Sequence, residues 1–345
     1  MTSSTENVTR PAPTRGILAL TLLAVGLILV AVFLGVVDVP TNEVIATLTG
    51  NGSEQSDLII LTIRLPRILT GILAGIHFAV AGTLLQSITR NPLADPTIMG
   101  ISQGATLAVT VFLFFAVYRF NSDANALYTL PVSWLPVVGC VGGLLSGFVI
   151  YSLAIAKRMA ALQLTLCGIA IGAFLHAIAM GIVVGWGSSR FEIVMQWLSG
   201  SLYARGWEHV LFLLPFTMAG LAVLPMLYRP VLMLRFDEDV ARSFGLSYRL
   251  YFTLTLGVAS ILAASAVGAV GPLIFVGLVV PHLARFVAGR HFALVIPFAG
   301  LIGAALVTGA DLAGRLFGGP EEIPIGVVTA LAGAPFLFFL LRRYR

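Results

Sequence analysis

The stretch RLPRILTGILAGIHFAVAGTLLQSITRNPLADPTIMG, residues 64–100, places a long apolar run directly before a polar turn that contains two prolines. The run at 67–89 is long enough to cross the roughly 30 Å hydrocarbon core of a bilayer as one helix. The helix cannot continue through RNPLADP, because each proline removes a backbone donor and clashes with the preceding turn. The pattern predicts a membrane-spanning helix that ends at one face of the bilayer.

The rest of the chain has the same character. Its 345 residues are 58% hydrophobic and 10% charged, and the mean hydropathy is +1.00. A soluble domain has roughly 25% charged residues, so the composition excludes a water-soluble globule. The apolar runs have the length of spanning helices, whereas a β-barrel would need short alternating strands. We therefore expect an all-α polytopic membrane protein.

Ten apolar runs are separated by polar, glycine-containing or proline-containing breaks. They lie at 16–37, 67–89, 97–117, 134–156, 162–185, 210–228, 250–271, 272–288, 292–312 and 323–341. Counting the broken piece at 272–288 gives about ten transmembrane helices. The first run lacks a cleavage site after it and is interpreted as a retained helix. The predicted organisation is a tail at 1–15 followed by a single transmembrane domain at 16–345.

The distribution of basic residues predicts the orientation. With the N-terminus inside, the inner segments contain 14 of the 20 lysines and arginines, and the outer segments contain 6. Cytoplasmic loops carry an excess of these residues, so both termini are predicted to be cytoplasmic. This orientation places the polar turn at 90–100 on the inner face.

The turn at 90–100 contains two cap residues, each followed by proline. Asn91-Pro92 and Asp95-Pro96 have the order of an N-cap and a first helical residue. We expect Asp95 to lie at the N-terminus of a helix that begins near Thr97, where its charge meets the positive end of the helix dipole. The four residues predict a rigid turn, and a plain capped connector explains most of the stretch equally well.

An internal similarity relates two parts of the chain. A shift of 189 residues aligns seven identities, which pair Ile72, Leu73, Ala74, Gly82, Leu84, Pro92 and Gly100 with Ile261, Leu262, Ala263, Gly271, Leu273, Pro281 and Gly289. Five crossings separate the copies, so the pattern predicts an inverted pseudo-repeat, with a first repeat at about 64–185 and a second at about 250–341. Inverted repeats with broken helices are typical of transporters, although channels and assembly subunits share them.

The longest charged inner loop, at 229–249, contains DEDVARSFG at 237–245. The acidic triplet suits a helix N-terminus and Gly245 suits its end. A short helix at the inner surface is well suited to docking on a cytoplasmic partner. The alternative is a solvated connector that satisfies the charge rule.

Three arginines lie at the predicted outer ends of helices, against the charge rule. Arg64 and Arg67 lie at the mouth of the second helix, and Arg315 lies at the outer end of the ninth. Such residues bind lipid headgroups, pair with Asp311 or Glu321, or receive acidic side chains from an external protein. Local pairing or lipid contact is the default expectation for any single one.

Catalytic signatures are missing from the sequence. It contains no GxxxxGK[ST] phosphate loop, no HExxH and no GxSxG, so ATP hydrolysis by this chain is not indicated. His77 and His176 lie within predicted spans, where an ionisable group is a functional candidate, although packing through one hydrogen bond is the leading expectation. Cys140 and Cys167 lie in apolar runs and indicate neither a disulfide framework nor a metal site.

Several of these stretches resemble the permeases of the iron-siderophore, haem and vitamin B12 ABC importers, the FecCD type. They are RLPRILTGILAGIHFAVAGTLLQSITRNPLADPTIMGISQGA at 64–105, MQWLSGSL at 195–202, DEDVARSFG at 237–245, GPLIFVGLVVPHLARFVAG at 271–289 and ADLAGRLFGGPEEIPIGVVTALAGAPFLFFLLRR at 310–343. The similarity covers essentially everything after the N-terminal tail, in order.

The resemblance implies a ten-helix permease in the cytoplasmic membrane of a bacterium, surrounded by membrane lipid. It also implies a second permease subunit, identical or different, two cytoplasmic ATPase subunits that use ATP and Mg, and an external binding protein that delivers the ligand. No cofactor on this chain, no nucleic-acid partner and no enzymatic activity of its own are implied. The expected cargo is a ferric siderophore or a similar metal chelate.

The resemblance also implies roles for individual residues. ATPase coupling falls on Asp237, Glu238, Asp239, Ala241, Arg242 and Gly245. Docking of the binding protein falls on Arg64, Arg67 and Arg315, although the acidic GGPEE segment at 318–322 can screen Arg315. The inner gate turn comprises Asn91, Pro92, Asp95 and Pro96. The fifth span is expected to line the translocation path, with His176, Phe174 and Met180 as candidates.

Three alternatives remain open at this point. Haem and cobalamin permeases share these motifs, so the chelate cannot be assigned from the residues. An ion-coupled secondary carrier normally needs a carboxylate in mid-membrane, whereas Asp38, Asp95 and Asp311 lie near the ends of predicted spans. An intramembrane enzyme or a structural assembly subunit is the third alternative, and an enzyme would need a polar cluster that the spans lack.

Overall fold

The computed structural model describes residues 13–115, 134–157, 161–185, 197–289, 291–319 and 322–343. All regular secondary structure in these ranges is helical, which confirms the predicted all-α class. Within them, six helical segments are long and apolar enough to cross a membrane, at 54–88, 135–156, 162–185, 207–233, 248–270 and 295–318. Four shorter apolar helices lie at 18–33, 101–113, 276–288 and 325–339. The chain is therefore a multi-pass membrane protein.

The described ranges contain thirteen α-helices with defined bounds. Their bounds are α1 Pro13–Phe33, α2 Thr41–Leu48, α3 Glu54–Asp57, α4 Leu65–Ile88, α5 Ile101–Leu113, α6 Leu135–Ala156, α7 Ala161–Gly185, α8 Trp207–Met233, α9 Glu238–Ser243, α10 Tyr248–Val270, α11 Val276–Ala288, α12 Val295–Gly318 and α13 Ile325–Arg343. A π-helical segment, Leu58–Arg64, joins α3 to α4, and a 3₁₀ turn, Phe292–Leu294, precedes α12.

Two helices begin later than the apolar runs indicate. The prediction of a helix from Thr97 was wrong, because α5 begins at Ile101 after Gly100, whose φ is +82°. Only part of the predicted broken piece at 272–288 is helical, because α11 begins at Val276 after Phe275, whose φ is +72°. A residue with positive φ interrupts a right-handed helix. Both short helices therefore start only after a left-handed residue.

Helix α4 lies at the centre of the bundle and packs against α8, α10, α11 and α12. Its glycines allow the closest approaches. A Cβ placed on Gly75 would lie 2.3 Å from the Gly303 carbonyl oxygen, and one on Gly82 would lie 2.0 Å from the Gly277 carbonyl oxygen. Small residues at such contacts let the backbones of membrane helices touch. The glycines of the opening stretch thus fix α4 against α12 and α11.

The shifted alignment follows the helices only in its first part. Ile72 and Ile261 both lie inside long helices, α4 and α10. Pro92 lies in a turn, whereas its aligned partner Pro281 lies inside α11. The inverted pseudo-repeat stays a prediction.

Helices α7 and α13 present large apolar side chains to the outside of the chain. On α7, Leu162, Phe174 and Val184 are exposed, and on α13 Leu331 and Phe338 are exposed. In a membrane protein these surfaces face lipid or another membrane subunit. The free cysteines Cys140 and Cys167 lie on α6 and α7 and form no disulfide.

Candidate functional site

The polar turn at residues 89–100, here called the inner turn, is held together by its own side chains. The Asn91 Oδ1 accepts a hydrogen bond from the Leu93 amide at 2.9 Å, and the Asp95 Oδ1 accepts one from the Thr97 amide at 2.7 Å. The Asp95 carbonyl accepts from the amides of Ile98 and Met99. Asn and Asp side chains that bond to amides two residues on stabilise turns. Asp95 therefore stabilises a turn and not the first turn of α5.

The inner turn is connected to two other segments of the chain. The His282 Nε2 of α11 donates to the Pro92 carbonyl at 2.9 Å. The Arg90 guanidinium forms a salt bridge with Asp237, the residue before α9. Arg90 has a φ of +51°, which turns the chain sharply at the end of α4. The inner turn is therefore in direct contact with the residue that precedes α9.

Asp95 is buried at the contact between the inner turn and α11. Its Oδ2 has no hydrogen-bond partner and would lie 2.9 Å from a Cβ on Gly277. Burial raises the pKa of Asp95 to about 6, although the hydrogen bonds from Thr97 oppose the shift. Pro96, also buried, lies against the same glycine. The inner turn can therefore pack this closely on α11 only because Gly277 has no side chain.

Helix α9 is the short helix expected within the 229–249 loop, and its presence is confirmed. It begins after Asp237 and ends before Gly245, whose φ of +82° suits a glycine C-terminus. Arg242 forms an i,i+4 salt bridge with Glu238, and Ala241 is buried against the body of the protein. Asp239 is exposed. Two of the three acidic residues at the start of α9 are therefore paired within the chain, Asp239 is exposed, and Ala241 anchors the helix.

The three predicted docking arginines converge on one cavity at the other end of α4. This outer cavity of about 450 Å³ is lined by Arg64, Arg67 and Arg315, together with Arg205, Glu208 and Glu322. Arg67 and the inner turn lie at opposite ends of the same helix, so the cavity opens at the predicted outer end. The three arginines lie at helix ends, as predicted: Arg64 directly precedes α4, Arg67 lies in its first turn, and Arg315 lies in the last turn of α12. The π-helical segment extends α4 upstream of Arg64.

Each of the three arginines has partners inside the chain. Arg67 Nη2 lies 2.7 Å from Asp311 Oδ1 and 2.8 Å from Glu322 Oε2. Arg315 Nε lies 3.0 Å from Asp311 Oδ2. Arg64 donates to the carbonyls of Val32, Phe33 and Val37. The default expectation of local pairing describes these contacts, and Asp311 is the shared carboxylate. Glu321 lies outside the described residues.

Two contacts of the outer cavity were not predicted from the sequence. Glu322 lies in the GGPEE segment expected to screen Arg315, but it is the second acidic partner of Arg67. Arg205 donates to the Ser201 carbonyl and contacts the Nε2 of His209 at 3.2 Å. Burial lowers the pKa of Arg205 to about 10, while the Glu208 carboxylate opposes the shift, so it stays charged at neutral pH. No local signal separates these residues from ordinary loop charges.

The candidate path residues lie on α7. His176 and Phe174 are exposed, and Met180 is partly buried against the core. Residues two apart on a helix point in nearly opposite directions, so His176 and Phe174 face different sides of α7. Gly168 and Gly172 pack against the backbone of Met99 and Gly100, which assigns them to packing.

His77 is buried in the centre of the bundle with a hydrogen bond on each ring nitrogen. His77 Nε2 lies 2.7 Å from Thr217 Oγ1, which also donates to the Leu213 carbonyl. Ser265 Oγ lies 3.0 Å from Nδ1. The imidazole thus joins α4 to α8 and α10. It makes two side-chain contacts where one hydrogen bond was expected.

Comparison with known proteins identifies the family. Residues 22–343 match the model of the FecCD transport family. The chain belongs to the FecCD transport family. It is 33% identical over 325 residues to the probable siderophore transport system permease protein YfhA of Bacillus subtilis, covering 94% of this chain and 93% of that protein.

Other relatives of this FecCD chain have different cargo in their names. It is 35% identical to the cobalamin import system permease protein BtuC of Halobacterium salinarum, over 84% of this chain and 74% of that protein. A solved metal-chelate type ABC transporter in an inward-facing conformation is 27% identical, with a TM-score of 0.79 over 96% of this chain and 100% of that chain. The FecCD family consists of ABC transporter permease subunits, membrane components of transport.

Proposed function

We propose that this chain is the permease subunit of an ATP-driven importer that passes a ferric siderophore, or a similar metal chelate, through the cytoplasmic membrane of a bacterium. One observation of the structure carries the proposal. The Arg90–Asp237 salt bridge joins the inner turn to the start of α9. This contact provides a route by which force on α9 reaches the helices that surround a path. Similarity to the siderophore permease YfhA supports the cargo.

Apolar surfaces that the chain leaves uncovered support the proposed assembly. A second permease subunit, identical or different, covers the apolar faces of α7 and α13, where Phe174 and Leu331 are exposed. The path then runs between the two permeases, with His176 of α7 as the polar candidate on its wall. The other expected crossings complete about ten helices, with both termini in the cytoplasm.

Helix α9 is the proposed coupling element. Glu238 and Asp239 form its acidic first turn, Ala241 anchors it, and Gly245 ends it. Each of two cytoplasmic ATPase subunits binds ATP and Mg and seats one α9. The ATPase-coupling residues are Asp237, Glu238, Asp239, Ala241, Arg242 and Gly245.

The outer cavity is the proposed docking site of an external binding protein. Its four arginines are partly balanced by Asp311, Glu322 and Glu208. An acidic side chain of the binding protein can take the place of Glu322 on Arg67, because Glu322 is the more exposed of its two partners. Arg64 and Arg315 add positive charge to the same cavity, which favours an acidic partner.

Two alternatives to this proposal are a different cargo, haem or cobalamin, and a different mechanism, ion-coupled transport. A haem or cobalamin importer would share this architecture, as the similarity to the cobalamin permease BtuC illustrates. An ion-coupled carrier needs a carboxylate that can bind and release its ion. Asp311 is buried between Arg67 and Arg315, so its charge is already compensated. This arrangement favours the ATP-driven importer.

Uptake in a strain that lacks the gene tests the proposal. Cells complemented with the wild-type chain are given ferric siderophore, haem or cobalamin carrying a radioactive label. Restored siderophore uptake supports the proposed cargo, and dissipation of the proton gradient with ATP maintained should leave it intact. Restoration of haem or cobalamin uptake alone would assign the alternative cargo. Restoration of none would contradict the importer for these ligands.

A further inference from the structure

The link between α10 and α11 ends in a residue with an unusual backbone. Phe275, which directly precedes α11, has a φ of +72° and a ψ of −16°. This left-handed region is disfavoured for any residue with a Cβ, and a bulky side chain there is a clear outlier. Such a conformation persists only where the surrounding structure imposes it. The contacts of Phe275 must therefore offset the cost of its backbone conformation.

The Phe275 side chain packs directly on the backbone of α13. A Cβ on Gly333 would lie 2.4 Å from the Phe275 Cβ and 2.6 Å from its Cγ, so the phenylalanine occupies the space that the glycine leaves. The Phe275 carbonyl accepts hydrogen bonds from the amides of Leu278 and Val279, in the first turn of α11. Phe275 therefore connects the start of α11 to the middle of α13.

This contact lies where α13 is easiest to bend. Pro335 lies inside α13, two residues after Gly333. Proline cannot donate to the carbonyl four residues earlier, here that of Leu331, and glycine lowers the stability of a helix interior. Sharp kinks in helices occur at proline and glycine. Helix α13 can therefore bend between Leu331 and Pro335, beside the Phe275 side chain.

A second contact joins α11 to α13 beyond Pro335. The ring of His282, on α11, lies 6.4 Å from the ring of Phe336, measured between centroids. The Nε2 of the same imidazole lies 2.9 Å from the Pro92 carbonyl of the inner turn. Helix α11 therefore contacts α13 on both sides of Pro335, and it contacts the inner turn as well.

We propose that Phe275 is a conformational latch between α11 and α13. While its side chain packs on Gly333, it holds α13 in one bend. When α11 moves away from α13, this packing is lost and the Phe275 backbone relaxes to negative φ. Packing favours the latched arrangement and the backbone cost favours the released one, which is the balance that a two-state element needs.

The latch rests on the proposed function and extends it. In that function, movement of α9 reaches the inner turn, and a second permease covers α13. The contacts of His282 and Phe275 continue the same route from the inner turn through α11 to α13. Phe275 is thus a positioning residue that acts through α13 and needs no contact with the cargo.

Thermal unfolding of the full chain in detergent tests the backbone of Phe275. Phe275→Ala and Phe275→Gly both remove the ring, but only glycine adopts positive φ without cost. Elsewhere alanine is the more stabilising of the two, because glycine loses more entropy on folding. We expect Phe275→Gly to have the higher melting temperature. The control pair, Ile274→Ala and Ile274→Gly, changes an exposed neighbour whose φ is not positive, and there the order should reverse. A lower melting temperature for Phe275→Gly than for Phe275→Ala would overturn the latch.

A double-mutant cycle tests the contact with α13. Gly333→Ala should lower the melting temperature of the wild type more than that of Phe275→Gly, because the Phe275→Gly variant has no Cβ to meet the added methyl group. Equal losses in the two backgrounds would show that Phe275 does not pack on Gly333, and would also overturn the latch.

The functional arm measures uptake and ATP hydrolysis in vesicles that contain the chain with its partner subunits, with labelled ferric siderophore as the probe. Phe275→Gly should still hydrolyse ATP, while uptake falls about tenfold, because α13 no longer follows α11. Ile274→Gly should retain both activities. Full uptake by Phe275→Gly, or equal fractional losses of uptake and hydrolysis, would overturn the latch. Should Phe275→Gly fail to fold, Phe275→Asn replaces it, since asparagine tolerates positive φ.

Failure of the proposed function would look different. A wild-type chain that transports no siderophore, haem or cobalamin would contradict the importer. The melting temperatures of the Phe275, Ile274 and Gly333 variants would still decide whether Phe275 is held in a left-handed conformation by α13.

Discussion

Arg67 and Asp311, separated by 244 residues, form a buried ion pair that ties α4 to α12, with 2.7 Å between Nη2 and Oδ1. Asp311 also contacts Arg315, so one carboxylate balances two guanidinium groups. Removing one member of a buried pair leaves an uncompensated charge, which destabilises proteins by roughly 3–5 kcal/mol. The losses of stability in variants of Asp311, Arg67 and Glu322 can therefore be ranked.

Asp311→Asn should be the most destabilising substitution in this cluster, because it leaves both arginines without their buried carboxylate. Arg67→Gln should cost less, because Asp311 keeps Arg315. Glu322→Gln should cost least, because Arg67 keeps Asp311 and Glu322 is more exposed. Thermal unfolding of the purified variants in detergent measures the three losses. A larger loss for Glu322→Gln than for Asp311→Asn would contradict the arrangement.

Gly82→Ala should destabilise the protein by about 1–3 kcal/mol or more, because its Cβ would lie 2.0 Å from the Gly277 carbonyl oxygen. Gly181→Ala is the control, since a Cβ at that helical position meets nothing within 4 Å. The control should be neutral or slightly stabilising, because alanine has the higher helix propensity. Chemical denaturation of both variants checks the contrast, and equal losses would refute the close contact of α4 with α11.

Asp95→Asn should change how stability depends on pH. Burial raises the pKa of Asp95 from 3.8 to about 6, so the folded state holds its proton more tightly than the unfolded state. The wild-type protein therefore loses stability as the pH rises from about 4 to 6, and above that range the loss stays constant. The melting temperature of Asp95→Asn relative to wild type should rise across this window and then level off. A difference in melting temperature between Asp95→Asn and wild type that does not vary with pH would contradict the raised pKa of a buried Asp95.

Pro92→Ala/Pro96→Ala should reduce transport without preventing insertion. The prolines restrict the inner turn, which is connected to α11 through His282 and to Asp237 through Arg90. A looser turn transmits less of the movement of α9. Uptake normalised to the amount of chain in the membrane measures the effect. Full uptake by the double variant would show that transport does not require a rigid inner turn.

The sequence was informative about the long helices and less so about the turns between them. Apolar runs bounded by charge located α6 and α10 to within two residues. Asp95-Pro96 has the order of a helix cap, yet the carboxylate bonds to Thr97 within a turn, and Gly100 delays the helix to Ile101. Glycine adopts positive φ readily but does not require it, so the sequence did not show that Gly100 would interrupt the helix.

Contacts between side chains far apart in the sequence were the hardest feature to predict. The sequence suggested Asp311 as a partner for the outer arginines, because both lie at the same predicted end. It placed Glu322 in the acidic GGPEE segment beside Arg315 but gave no reason to pair it with Arg67, since an acidic loop residue has no periodic signal.

The most direct test of the central claim measures siderophore uptake in cells whose only copy of this chain carries Glu238→Arg. The substitution reverses a charge at the exposed start of α9 and faces Arg242 with a like charge. Glu54→Arg is the control, a charge reversal in the exposed first turn of α3 at the predicted outer end. With equal amounts of chain in the membrane, we expect uptake to be lost in Glu238→Arg and retained in Glu54→Arg. Full uptake by Glu238→Arg would contradict coupling through α9.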